Sequence, residues 1–303
     1  MRLQEAVVGL EREIGRRMAV GARYVHKQVD YAIEDIGTLD ADQNEVYPLG
    51  NPGYGFSTTF FDAFGVEREF PKAVRDYDAL ELSLEKRLSN NWAGRVGYTL
   101  SRLYGNYSGL SQSDENGRTS PNVGRNFDYP VMSFNQEGEF VFGRLGTDRP
   151  HQLKVSGLYD FDFGTTIGAN AYIASGVPVT REVATVAPNN FPVQYLGRLS
   201  DGRTEMFSQT DLFVSHDFKL GGDKRIQLSF NVINLFNQKA ETNKYTTELA
   251  SGQGVDIDER QFYNGFDAAA LISAQKLDRD PRFLQSSAFQ EQLSARFGVK
   301  FSF

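Results

Sequence analysis

The chain closes on LSARFGVKFSF, where Leu293, Ala295, Phe297, Val299, Phe301 and Phe303 form one apolar row and Ser294, Arg296, Gly298, Lys300 and Ser302 a small or polar one. Period-two alternation of this kind is a β-strand with one face in an apolar medium. A soluble core does not require its strand to finish on an aromatic. The wall of a transmembrane barrel does carry an outward apolar row bounded by aromatics at the membrane interface. The edge strand of a soluble sandwich shows the same alternation, so the remaining sequence has to separate the two.

Composition narrows the choice by exclusion. The 303 residues contain 13% aromatics, 29 glycines and no cysteine, with a net charge of −7. A hydropathy scan would pass such a chain as soluble, but barrels evade such scans because lipid-facing and lumen-facing residues alternate. No run of 18 apolar residues is present, which excludes transmembrane helices. Without cysteine there is no disulfide framework and no thiolate metal site. The acidic balance argues against nucleic-acid binding, since no basic stripe is available to neutralise phosphates.

Strand-like runs come in pairs joined by tight turns. Runs 5–13 and 17–27 flank Ile14-Gly15-Arg16, and runs 73–88 and 92–103 flank Ser89-Asn90-Asn91, whose asparagines tolerate a left-handed turn. Runs 151–159 and 165–174 flank DFDFG, and runs 210–219 and 225–234 flank Gly221-Gly222-Asp223. The terminal run is the ninth. Between the pairs lie long polar stretches at 28–72, 104–150, 175–209 and 235–287. Loops longer than about 15 residues are uncommon in compact soluble domains, whereas short periplasmic turns alternating with long extracellular loops are the plan of an outer-membrane barrel.

The faces of the runs agree. Leu80, Leu82 and Leu84 alternate with Glu81, Ser83 and Glu85; Val96, Tyr98 and Leu100 with Arg95, Gly97 and Thr99; Ile226, Leu228, Phe230 and Val232 with Arg225, Gln227, Ser229 and Asn231. Many runs match the roughly 9 to 11 tilted residues that cross a bilayer and exceed the roughly 5 to 6 of soluble strands. The expected fold is therefore all-β, an antiparallel transmembrane β-barrel. Its polar row, with Glu81, Glu85, Arg95, Lys154, Arg225 and Arg296 as candidates, is expected to face the lumen. Nine strands is odd, however, and bacterial single-chain barrels are even. The amino-terminal MRLQEAVVGLEREIG also lacks the features of a secretory signal. The expectation is that residues 1–303 form the carboxyl-terminal portion of a larger barrel.

At this point the motifs carry a resemblance. QTDLFVSHDFKLGGDKRIQLSFNVINLFNQ resembles the penultimate hairpin of TonB-dependent outer-membrane receptors, with Asn231, Asn234, Leu235, Phe236 and Asn237 matching the N-x-x-N-L-F-N-like strand end. YIASGVPVT resembles another receptor strand entering its loop. YDALELSLEKRLSNNWAGRVGYTLSRLYGNYSGL and GRLGTDRPHQLKVSGLYDFDFG resemble the Oar-like branch, receptors with a carboxypeptidase-regulatory-like domain at their amino end. Together these motifs cover nearly the whole chain. The resemblance implies a barrel of about 22 strands, of which these would be the last nine, with plug, TonB box and regulatory-like domain outside this sequence. It also implies outer-membrane lipid, the TonB complex and the barrel-assembly machinery as partners, the last through a terminal signal at Phe297, Val299, Phe301 and Phe303.

Catalytic and cofactor readings fare poorly. His26, His151 and His216 lie in or beside strands and have no metal-ligand spacing. A spatial Ser-His-acid arrangement is not readable from sequence, but His216 shares a row with Leu212, Val214 and Phe218 and reads as a girdle position. The acidic clusters 40–45, 113–115 and 256–259 could hold calcium, yet lack the spacing of an EF-hand loop and read as solvated loop tips. Asn189-Asn190 reads as a turn, and Gly50-Asn51-Pro52-Gly53-Tyr54-Gly55 as loop punctuation rather than a phosphate loop. No cofactor and no enzymatic activity are expected. The leading function is an energy-coupled receptor whose extracellular loops capture an unidentified bulky ligand; the alternative is a surface protein that is adhesive or structural, without transport.

Overall fold

The computed structural model describes residues 1–15, 17–39, 45–109, 127, 129–185 and 191–303. Nine long strands run in chain order: β1 (Arg2–Glu13), β2 (Met18–Tyr31), β3 (Arg75–Ser89), β4 (Trp92–Gly105), β5 (His151–Asp160), β6 (Thr165–Ala174), β7 (Phe207–Gly221), β8 (Lys224–Ile233) and β9 (Ser294–Ser302). Each pairs antiparallel with the next, so the sheet is a simple meander, with the two-residue strand Gly143–Arg144 added beside the end of β4. The paired runs and turns read from the sequence match β1 to β9. Several strands extend further at their loop ends than the alternation indicated, β2 to Tyr31 and β7 from Phe207.

The turns explain the register. Asn90 and Asn91 both adopt positive φ, 52° and 68°, a region that costs other side chains more than asparagine. The turn fixes which residues share a face, and the pairing carries that choice across the sheet. Leu10, Ala22, Leu82, Tyr98, Leu153 and Ile173 lie on one outward row, and Val232 with Ala295 and Phe230 with Phe297 continue that face into β9. A one-residue slip would turn every one of these side chains to the other surface.

At the turn end, aromatics collect on the same outward side. Trp92 pairs with Tyr159, Tyr159, Phe161 and Phe163 form a chain with ring centroids 4.7 and 5.1 Å apart, and His216 sits 4.4 Å from Phe218 and 6.3 Å from Phe163. His216 also bonds Thr165 Oγ1 through Nδ1 at 2.7 Å. Phe301 and Phe303 stack at 5.7 Å. Lys86 donates to the Ser89 and Trp92 carbonyls at 2.7 and 2.8 Å, its ammonium 3.9 Å from the Trp92 ring centre. Its charge thus reaches the turn backbone while its stem follows the apolar surface. This is the aromatic interface belt of a membrane barrel.

The sheet is not closed. Among the described residues β1 pairs with β2 alone and β9 with β8 alone, and because neighbours are antiparallel, β1 and β9 run in the same direction. No helix of the described residues is long and apolar enough to cross a membrane.

At the other end, the described residues of the segments expected as polar loops form a packed cap. Among the described residues they contain five short two-stranded sheets and two α-helices, α1 (Glu259–Asn264) and α2 (Ala268–Ala274). A buried cluster draws Met132 and Phe134 from the second long loop, Val183 and Val193 from the third, and Leu249 and Phe262 from the fourth, with Phe60 of the first packed against it. Their apolar residues follow no period of 2 or 3.6, because each is buried by a different loop rather than by its own element.

Candidate functional site: the lumen wall and its rim

Alternation that sends leucines outward sends charge inward. Glu81, Glu85, Arg95 and Lys154 line one trough of about 1420 Å³ on the inner face, with Arg23, Gln152, Tyr172 and Gln209. Arg225 and Arg296 share the inner face by register, Arg225 opposite Lys219 near the turn end and Arg296 opposite Asn231, but neither borders that trough.

The trough is an ordered charge pattern. Arg23 donates to Glu81 across the β2–β3 pair, and beside the trough Lys27 lies 3.3 Å from Glu5. Glu85 stands opposite Arg95. Lys154 stands opposite Gly97, its ammonium 5.6 Å from the Tyr172 ring centre, and the Tyr172 hydroxyl donates to Gln152 at 3.0 Å. Such a wall can bind polar, charged or hydrated material. The alternation of run 17–27 already places Arg23 in this row. Tyr172 was the less legible member, because its role depends on the cation of the neighbouring strand.

Above the trough, buried polar nodes hold the rim. Asp148, within the GRLGTDRPHQLK stretch, accepts from the Leu103 N–H at 2.7 Å and from Arg203 at 2.5 Å, so one carboxylate ties the end of β4 to the second and third loops. Arg203 also donates to the Gly176 carbonyl at 3.1 Å. Gly176 is required in YIASGVPVT, because a Cβ there would lie 1.8 Å from the Thr204 carbonyl oxygen. Asn234, 1% exposed, has φ of 54°. Its amide donates to the Gln238 and Glu291 carbonyls at 2.9 and 2.8 Å, its side-chain oxygen accepts from the Gln238 N–H, and its own N–H donates to Asp211. Asn237 accepts from the Leu293 N–H at 3.1 Å. The asparagines of the N-x-x-N-L-F-N-like pattern thus pin both ends of the fourth loop.

Within the cap, Tyr195 donates to Glu248 at 2.6 Å, Arg279 donates to the other oxygen of that carboxylate at 2.6 Å, and Arg181 pairs with Asp201 at 2.5 Å. Burial, and then the bond to Glu248, push the Tyr195 hydroxyl up to about 12. Asp62 is held below the usual carboxylate range: burial raises it, but the N–H groups of Val66 and Phe64 and the Arg68 guanidinium outweigh that.

Phe297, Val299 and Phe301 are exposed on the outward row of β9, with Phe303 at its end. His151 bonds the Tyr98 hydroxyl at 2.7 Å, and His26 bonds Asp78 at 2.8 Å. Among the described residues, no group of three or more histidine and acidic side chains could hold a metal ion. Asp258 caps α1 by accepting from the Gln261 N–H, and Glu259 accepts from the Ala63 N–H at 2.6 Å. The acidic stretch 113–115, most of 40–45, and Asn189-Asn190 lie outside the described residues.

The outer membrane β-barrel domain family matches residues 1–178. The TonB-dependent transporter Oar of Myxococcus xanthus is 28% identical over 314 residues, spanning 99% of this chain and 28% of that protein. Among solved structures, the ferric-catecholate import receptor Fiu of Escherichia coli aligns with a TM-score of 0.43 at 12% identity, covering 99% of this chain and 27% of the receptor. The outer membrane transporter YddB of Escherichia coli aligns at 0.47 and 13% identity, covering 80% of this chain and 30% of that one. The chain therefore spans less than a third of the length of each of these proteins.

Proposed function

This chain belongs to the outer membrane β-barrel domain family and resides in the outer membrane, and we propose that it forms part of the wall of a TonB-dependent receptor. In this reading the nine strands are the carboxyl-terminal portion of a closed barrel of about 22 strands. The open sheet carries the reading: two free edges running in the same direction cannot pair antiparallel with each other, and unsatisfied backbone groups in hydrocarbon cost several kcal/mol each. Similarity to Oar along 99% of the chain supports the receptor assignment. The inner charged row, including Arg23–Glu81, Glu85, Arg95 and Lys154, contacts a plug or lines the path that plug movement opens. The packed cap presents the surface that captures a bulky ligand for energy-coupled uptake. Phe297, Val299, Phe301 and Phe303 serve the barrel-assembly machinery.

The ordered cap also suits a second reading, adhesion at the cell surface without transport. One experiment separates them: binding of the full-length protein to the isolated periplasmic domain of TonB, together with ion conductance in planar bilayers. Saturable association that is lost on deleting a short segment near the mature amino terminus is the expected result. No association with steady conductance would indicate a diffusion pore, and no association without conductance would favour the adhesive protein.

A further inference from the structure

The outward face of β2 to β4 changes character abruptly toward its loop end. The row Tyr24, Leu80, Leu100 is followed, one outward position higher, by His26, Asp78 and Arg102, which are paired across the three strands. Above these come Gln28, Asp76 and Tyr104. By register these side chains share the surface that carries Leu82 and Tyr98, not the lumen.

Height decides what this row meets. Trp92, in the turn-end aromatic belt, and Arg102 lie ten residues apart on β4. With about 3.3 Å per residue and a tilt of about 40°, that is roughly 25 Å along the membrane normal, the height of the apolar band of an outer-membrane barrel. The row therefore stands where acyl chains give way to headgroups, and it continues the lipid-facing surface directly beneath it.

The chemistry within the row is uneven. Asp78 is committed, accepting from the Tyr24 hydroxyl at 2.5 Å and bonded to His26 Nδ1 at 2.8 Å. Arg102 is exposed, with its guanidinium carbon 4.4 Å from the Tyr104 ring centre, and among the described residues no carboxylate oxygen lies within 4.0 Å of it. Asp76 and Asp78 are the acidic groups nearest in register, which keeps the patch close to neutral and disfavours a diffuse cloud of anions. A guanidinium held over an aromatic ring, with no carboxylate claiming it, has N–H groups to offer, and their fork matches the oxygens of a phosphate two at a time. We propose that Arg102, backed by Tyr104 and flanked by His26, binds the phosphate of a lipid headgroup in the outward-facing leaflet. The proposal depends on the membrane orientation and not on energy coupling.

The test uses the full-length protein in a sugar-headed detergent, with phosphatidic acid or the matching diacylglycerol added and retained lipid read by native mass spectrometry. The expected result is preferential retention of phosphatidic acid, falling roughly tenfold in Arg102→Ala, as loss of one charge-assisted bidentate contact implies. Arg102→Lys, which keeps the charge, should lose part of the preference, and Arg95→Ala on the inner face should lose none. Heat-modifiability on gels confirms that each variant is folded, and Arg102→Gln replaces the alanine variant if that one is not. Equal retention of the two lipids, an unchanged preference in the folded Arg102 variants, or complete displacement by millimolar inorganic phosphate would overturn the proposal.

Discussion

Asn234 shows how much one side chain can organise at the barrel rim. It is buried, left-handed in backbone, and bonded to Gln238 and Glu291, so alanine would strand two carbonyls and an N–H while retaining a φ that alanine resists. Asn234→Ala should cost about 2 to 4 kcal/mol, from unsatisfied buried groups and backbone strain, and should make segment 235–293 protease-sensitive before the strands unfold; limited proteolysis alongside denaturant unfolding checks this. Tyr195 gives the cap a pH limit. Its folded value is raised to about 12 from about 10 when unfolded, so the folded state holds the proton more tightly. Its contribution is complete below about pH 10 and is lost as pH climbs through about 12. Cap stability, followed by tyrosinate absorbance and proteolysis, should fall across that window, and Tyr195→Phe should remove part of the fall at a cost of about 1 to 2 kcal/mol from losing the bond to Glu248. Asn234 and Asn237 were visible in the sequence as part of the strand-end motif; their long-range partners were not, since Glu291 and Leu293 lie more than fifty residues away.

Among the elements, β8 offers the cleanest comparison of two faces. Leu228 lies between His216 and Val299 on the outward row, and Ser229 lies between Ser215 and Gly298 on the inner one. Leu228→Arg should destabilise the barrel by about 1 to 2 kcal/mol, because a charge on the lipid face just inside the interface belt has little water, and Ser229→Arg should cost far less. Refolding of the full-length protein into lipid vesicles measures both; equal costs would remove the membrane from the explanation. These faces were legible because alternation is a local property: Leu228 and Ser229 declare their sides through immediate neighbours. Strand ends were less so, as the loop ends of β2 and β7 run on where polar residues meet headgroups and water instead of lipid. Arg102 and Asp78 sit in that zone, polar yet outward, where alternation alone cannot separate lumen from leaflet.

At the largest scale, the described residues form an unclosed transmembrane wall and a cap drawn from four long loops. The wall was readable in outline, including its odd strand number, because strand count and direction follow from turns. The cap was not: Phe134 meets Tyr263 at 5.0 Å, and Tyr129 stacks on Phe191 at 3.8 Å, contacts between loops that share no period. The cap also bears on closure, since the described residues of segments 32–74 and 234–293 form short strands and short helices and supply no tenth spanning strand. Refolding the isolated 303-residue chain into detergent and lipid therefore tests whether these nine strands can close on their own. Two unpaired edges in hydrocarbon cannot persist, so the chain should aggregate, or assemble only when the missing strands are supplied in trans, with deletion of Phe303 weakening that assembly. A heat-modifiable, protease-resistant monomer with the circular dichroism of a closed β structure, formed by this chain alone, would contradict the account.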